Sequence, residues 1–185
     1  MSIIIAIECF KMHVIQKQND LVNTDMNQLE TAIRLRDEGR LEESNIILRK
    51  LADSNPADPT LQYQYAWSFD VLGQEKDAIP YYERAISLGL AGEDLRGAYL
   101  GLGSTYRAIG AYAKSKDVFR DAIETFPHDN ALKTFYALTL HNLGEHAAAM
   151  EILLTLLADT SSDPDVIAYH KAIKLYASNL DQVWE

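Results

Sequence analysis

The residues best equipped for chemistry in this chain are aromatic and cationic rather than nucleophilic. Tyr63 and Trp67 stand four apart, so on a helix they share one face. Arg36 precedes them, Asp70 lies a turn beyond Trp67, Arg107 follows, and His141 completes the set. Aromatic rings and guanidinium groups are the side chains most enriched where one protein grips another. The set therefore points to recognition rather than bond-making. Two readings of Tyr63 and Trp67 are open from the residues alone: contact with a partner, or packing against a neighbouring helix. The arginines likewise either meet a ligand or pair with Asp37 and Asp70, at little net energy if exposed.

No catalytic arrangement accompanies them. The sequence has no glycine-rich phosphate loop, no GxSxG elbow and no HExxH pair. Its five histidines are His13, His128, His141, His146 and His170. His141 and His146 flank Gly144, do not share a helix face, and read with the others as exposed polar side chains. Glu42 and Glu43 are adjacent, so they diverge; they read as a solvated pair near a helix N-terminus, where negative charge is favoured. No catalytic residue, cofactor or metal ligand is expected. A net charge of −10 argues against nucleic acid, which calls for a basic stripe, and against docking on anionic lipid. The single cysteine, Cys9, forms no internal disulfide or multi-cysteine metal site. It points to a reducing, cytoplasmic compartment. No stretch approaches the roughly 20 apolar residues that span a bilayer.

The elements that must position these residues show themselves as a repeat. Residues 96–127 read as one helical hairpin. Tyr99, Leu102 and Tyr106 lie on one helical face. Gly110 ends that helix, since a residue without Cβ enters the left-handed conformation cheaply. A second periodic run through Val118, Phe119 and Ile123 stops at Pro127. Gly39, Gly73, Gly110 and Gly144 mark four such hairpins at separations of 34, 37 and 34 residues. The three-residue excess is expected in the loop around Leu90–Glu93. Seven residues before each glycine stand Ala32, Ala66, Gly103 and Ala137; five after stand Ser44, Ala78, Ser115 and Ala149. All are small, and antiparallel helices approach closely only where small faces small. Large residues repeat beside them: Leu35, Phe69, Tyr106 and Leu140, then Leu48, Tyr82, Phe119 and Leu153.

This register resembles the tetratricopeptide repeat family over roughly residues 25–178. The resemblance implies an all-α, right-handed α–α superhelix of four helix–turn–helix repeats plus a C-terminal capping helix. Departures exist. The family's aromatic at the start of the first helix is Gln28, Gln62 and Lys133 here, and only Tyr99 keeps it. Its closing proline is kept as Pro56 and Pro127 but is Leu90 and Ser161 elsewhere. The resemblance further implies that the first helices of the pairs line a concave groove. Projected onto it, the groove holds Leu29, Ile33 and Arg36; Tyr63, Trp67 and Asp70; Leu100, Ser104 and Arg107; and Thr134, Leu138 and His141. Family members that clamp a peptide's terminal carboxylate use Lys and Asn where this chain has Leu29 and Ile33, and Tyr63 and Trp67. That clamp is absent, so the ligand expected is an apolar or extended peptide, with acidic residues for Arg36 and Arg107.

The repeats are placed at about 24–57, 58–92, 94–128 and 129–161. Thr24, Asp58 and Asp129 are read as N-caps, Pro59 as the first helical residue, and Pro80 as a kink unless it falls in the first turns. A capping helix is expected over 163–178, with Lys171 and Lys174 on its polar outer face. Residues 179–185 read as a tail with Trp184 as an anchor. Residues 1–23, apolar around Ile3-Ile4-Ile5, read as an extension outside the repeat: a disordered tail, an extra strand or helix covering the first repeat, or an over-extended start. The expected function is non-catalytic: holding a protein or peptide partner in the groove. Rival readings are a self-associating scaffold, joined through the Ile-rich N-terminus or the groove, and a regulatory subunit of an enzyme.

Overall fold

The structure is a computed structural model that describes residues 24–183; the expectations for residues 1–23 and for Trp184 fall outside it. Residues 24–37 form α1. There follow α2 (Leu41–Ser54), α3 (Pro59–Val71), α4 (Glu75–Ser87), α5 (Gly92–Ala108), α6 (Tyr112–Thr125), α7 (Asn130–Asn142), α8 (His146–Thr160), α9 (Pro164–Ala168) and α10 (His170–Ala177). Among the described residues there is no strand. From α2 onward each helix packs on the next, except that α8 packs mainly on α10; α3 also touches α5, and α5 touches α7. The result is a right-handed α–α superhelix whose odd-numbered helices form one layer.

Each hairpin turn is built alike. Gly39, Gly73, Gly110 and Gly144 have φ of 78°, 70°, 79° and 80°. The N–H after each glycine reaches back over the helix end. Arg40, Gln74, Ala111 and Glu145 donate to the carbonyls of Leu35, Phe69, Tyr106 and Leu140 at 2.8, 3.0, 2.8 and 2.9 Å. This closes the carbonyls that a helix end leaves open. The small residues sit where the helices cross, all eight buried. Two of them do more than make room. Ser44 Oγ donates to the Ala32 carbonyl at 2.7 Å, and Ser115 Oγ to the Gly103 carbonyl at 2.8 Å. The crossing is thus bonded as well as packed. Leu48, Tyr82 and Phe119 fill the space alongside and are fully buried.

Asp58 accepts from the Leu61 N–H at 3.1 Å, Asp129 from the Leu132 N–H at 2.9 Å, and Asp163 from the N–H groups of Asp165 and Val166. The caps at Asp58 and Asp129 match expectation, and Pro59 opens α3. Thr24, the first described residue, is itself helical. The three-residue excess lies in helix rather than loop. α5 has 17 residues against 13 in α3 and α7. Its extra turn starts at Gly92, inside the span assigned to the second repeat, and carries Glu93 and Asp94 where a helix N-terminus favours negative charge. Pro80 lies mid-helix, and α4 runs through it. The single helix expected over 163–178 is interrupted at Tyr169 (φ −96°, ψ 7°), which joins α9 to α10.

Lys171 and Lys174 stand 34 residues after Ala137 and Leu140, at the small and large positions of the crossing. Both are exposed, and Lys174 Nζ pairs with Asp159 at 2.9 Å. The cap leaves apolar surface of its own, since Ile167, Tyr169, Leu175 and Tyr176 are more than half exposed or close to it.

Candidate recognition surface

The six candidate residues all lie on odd-numbered helices, and the structure joins some of them. Trp67 is the centre. Its ring stacks on Tyr63 at a centroid distance of 5.9 Å, as side chains four apart on α3 should. Its other neighbour is Arg36 from α1, whose guanidinium carbon lies 3.6 Å from the indole centroid. Arg36 Nη1 donates to Gln64 Oε1 at 3.0 Å. The arginine is thus held between an aromatic face and a buried amide, and only 8% of it is exposed. Burial lowers its pKa, with Asp37 as the main opposing charge, yet a guanidinium keeps its proton in proteins. Trp67 remains 38% exposed.

Tyr63 follows the packing alternative. It is buried, belongs to the core cluster with Tyr82 and Tyr106, and its hydroxyl lies against Gly97 of α5. Burial raises its phenol pKa. The close approach of α5 depends on two glycines that the sequence reading did not single out. A Cβ at Gly97 would strike Tyr63, and one at Gly101 would lie 2.5 Å from the Tyr82 ring. The spacing of Gly97, Gly101 and Gly103 along one helix was the available signal.

Asp70 pairs with neither arginine. Its carboxylate accepts from Tyr82 Oη at 2.7 Å and from Thr105 Oγ1 at 2.9 Å, so it ties α3 to α4 and α5. Burial raises its pKa, and the two hydroxyl donors pull the other way. Arg107 Nη1 donates to Asn142 Oδ1 at 3.1 Å, linking α5 to α7. The Nε atoms of Arg36 and Arg107 are buried with no hydrogen-bond partner among the described residues. His141 stands at the exposed end of α7, apart from the Trp67 group, and its ring meets His146 of α8 at 4.7 Å. The turn at Gly144 brings together two histidines that share no helix face. His170 bonds Asp159 at 2.9 Å rather than standing free. Among the described residues no group of three or more His, Cys, Asp or Glu is placed to hold a metal ion. No helix among them is long and apolar enough to cross a membrane.

Gln64, Thr105 and Asn142 hold these side chains in place and were not legible beforehand. Each acts through a partner on another helix, which spacing along one helix does not reveal.

The family model described as "Tetratrico peptide repeat" matches residues 59–180. No curated protein matches the chain. Among solved structures, YrrB, described as a TPR protein with an unusual peptide-binding site, superposes with a TM-score of 0.65 at 16% identity, covering 83% of this chain and 78% of that one. MamA from Desulfovibrio magneticus RS-1 gives 0.62 at 16%, with 86% and 97% covered. A thermophilic TPR protein from Thermus thermophilus gives 0.59 at 21%, with 85% and 84% covered. At these identities the likeness is one of fold.

Proposed function

The chain belongs to the tetratricopeptide repeat family, whose members are in general non-catalytic protein-interaction modules, and from that premise we propose that it holds an extended peptide segment of a partner protein along the layer of odd-numbered helices. The observation that carries this reading is the Arg36–Trp67–Tyr63 stack. Tyr63 is anchored in the core and Arg36 is fixed by Gln64, so the indole between them is held at the surface with little freedom left to lose. Binding then costs little ordering entropy. An exposed, preorganised Trp beside Arg is the composition of an energetic hot spot.

The ligand chemistry follows from the neighbours. Leu138, Leu175 and Tyr176 offer exposed apolar surface toward the C-terminal end. Arg36 and Arg107 bring positive charge, and their buried Nε atoms have no hydrogen-bond partner among the described residues. A segment with apolar side chains and an acidic residue suits both. Leu29 and Ile33 stand where a carboxylate clamp would need Lys and Asn, which disfavours a ligand recognised by its terminal carboxylate. A peptide-binding site is described for YrrB, a protein of the same fold, which makes this use of the fold reasonable here.

The test is affinity capture from a native extract with the wild-type chain and with Trp67→Ala, read by mass spectrometry alongside melting curves. The variant loses its partners roughly 30-fold or more in apparent affinity, the scale of a hot spot worth ~2 kcal/mol, while it stays folded. Equal recovery by both chains would sink the proposal. So would a loss of binding that merely tracks a collapse of Tm.

A further inference from the structure

The turn between α7 and α8 holds two side chains that the Trp67 group does not use. His141 lies in the last turn of α7, and His146 is the first residue of α8. They stand three before and two after Gly144. In the second hairpin the same register holds Asp70 and Glu75, and the Glu75 charge acts on Asp70 across the turn. The other two hairpins place Arg36 with Leu41 and Arg107 with Tyr112 there. The last hairpin alone of these four fills both positions with imidazoles.

The backbone beneath the pair is fixed. Gly144 N–H donates to the His141 carbonyl at 3.0 Å, and Glu145 N–H to the Leu140 carbonyl at 2.9 Å. The two rings lie 4.7 Å apart, centroid to centroid, with their planes at 49°. That spacing is the one a shared ion requires. With metal–nitrogen bonds of about 2.0–2.1 Å and a ring nitrogen about 1.1 Å from its centroid, bond angles of about 90–110° put two ligating rings roughly 4.4–5.2 Å apart.

The donors are also uncommitted. Neither ring makes a hydrogen bond or ion pair among the described residues, whereas His170 is taken by Asp159 at 2.9 Å. Both are exposed, so an ion and its water can reach them. Of the charged groups at this turn, Glu145 is paired with Lys116 at 2.7 Å, and Arg107 donates to Asn142. The free ligands here are therefore imidazole nitrogens, which suit first-row divalent ions such as Ni2+, Cu2+ and Zn2+ and not Mg2+ or Ca2+.

We propose that His141 and His146 form a two-histidine chelate for a divalent first-row transition ion, with water in the remaining coordination positions. The ion clips the end of α7 to the start of α8. Spacing along one helix gives no sign of it, because the chain reversal at Gly144 supplies the proximity.

The experiment uses the full untagged chain and Ni2+ alone, titrated by calorimetry and followed by amide NMR. Ni2+ is paramagnetic, so it broadens the resonances nearest to it. The wild type binds one ion, and broadening is centred on residues 141–146. His141→Ala and His146→Ala each weaken binding at least tenfold, since a chelate becomes a single-donor contact. His13→Ala and His128→Ala leave it unchanged. Mg2+ at the same concentration produces no effect. Binding that survives in His146→Ala at full strength overturns the proposal. So does broadening spread over His128 and His170, which marks an adventitious ion only. Should either variant fold poorly, the wild-type broadening pattern decides alone: amides of 141–146 that stay sharp at saturating Ni2+ end the proposal.

Discussion

At the scale of single residues, the surface around Trp67 shows how similar side chains come to different roles. Tyr63 and Trp67 share a helix face, yet one is core and the other surface, because α5 closes over Tyr63 through Gly97 and leaves Trp67 uncovered. Arg36, Trp67 and Gln64 form a chain in which each member fixes the next. Asp70 is a carboxylate drawn into this layer, and its titration has a definite sign. Its folded-state pKa is raised above 3.8 by burial. Such a group favours the native state most when protonated, so its contribution is fully present below pH 3.8 and is lost as pH rises through the folded value. Asp70→Asn removes that dependence. The Tm of the wild type minus that of Asp70→Asn should therefore fall as pH is raised from about 3.8 toward neutrality. A difference that stays flat, or grows with pH, would show that the Tyr82 and Thr105 hydrogen bonds outweigh burial. Asp129 behaves oppositely. Burial opposes its ionisation, but the Leu132 N–H and Arg96 outweigh it and hold the carboxyl below its usual value. Its contribution is lost on acidification.

At the scale of elements, the crossing of paired helices decides the spacing of everything else. The buried small residues let the backbones approach, and the serines bond across the gap. α5 goes further than its counterparts, with Gly97, Gly101 and Gly103 each lying against an aromatic ring. Tyr82 is fully buried and donates to Asp70, so it has no room to retreat from a new methyl group. Gly101→Ala should therefore cost about 1–3 kcal/mol by overpacking, against the gain of a few tenths to ~1 kcal/mol that helix propensity alone would give. Urea denaturation distinguishes the two by the sign of the change. Stabilisation would mean that α5 shifts away from Tyr82, and the recognition surface with it. The break at Tyr169 belongs to this scale as well: it splits the last element into α9 and α10 while Ile173 N–H still reaches the Tyr169 carbonyl at 2.9 Å.

At the scale of the whole molecule, the C-terminal end of the superhelix is the one whose surface the described residues define. Toward the C-terminus, Lys171 and Lys174 stand at the register positions of the crossing residues and are exposed. Exposed Ile167, Tyr169, Leu175 and Tyr176 nevertheless give that end an apolar surface, which keeps the self-associating reading in play. Sedimentation across a concentration range, for the full chain and for one without residues 1–23, decides it. On the peptide-holding reading both remain monomeric throughout. A concentration-dependent species in either would favour self-association.

How much was legible beforehand follows from what each feature depends on. The sequence by itself determined the helices, the turns and the crossing points. A left-handed glycine, a capping Asp and a small residue facing a small one are local requirements, written in residue type and spacing. Gly39, Gly73, Gly110 and Gly144 bore that out to the residue. What only the tertiary structure decided was which side chains a neighbouring helix covers. Tyr63 and Trp67 are equivalent in spacing, and only the path of α5 separates them. Gln64, Thr105 and Asn142 matter through partners 28 to 35 residues away, and the two histidines meet only because the chain reverses between them. Periodicity records the face a residue lies on; burial and pairing are set by what the rest of the chain lays against that face.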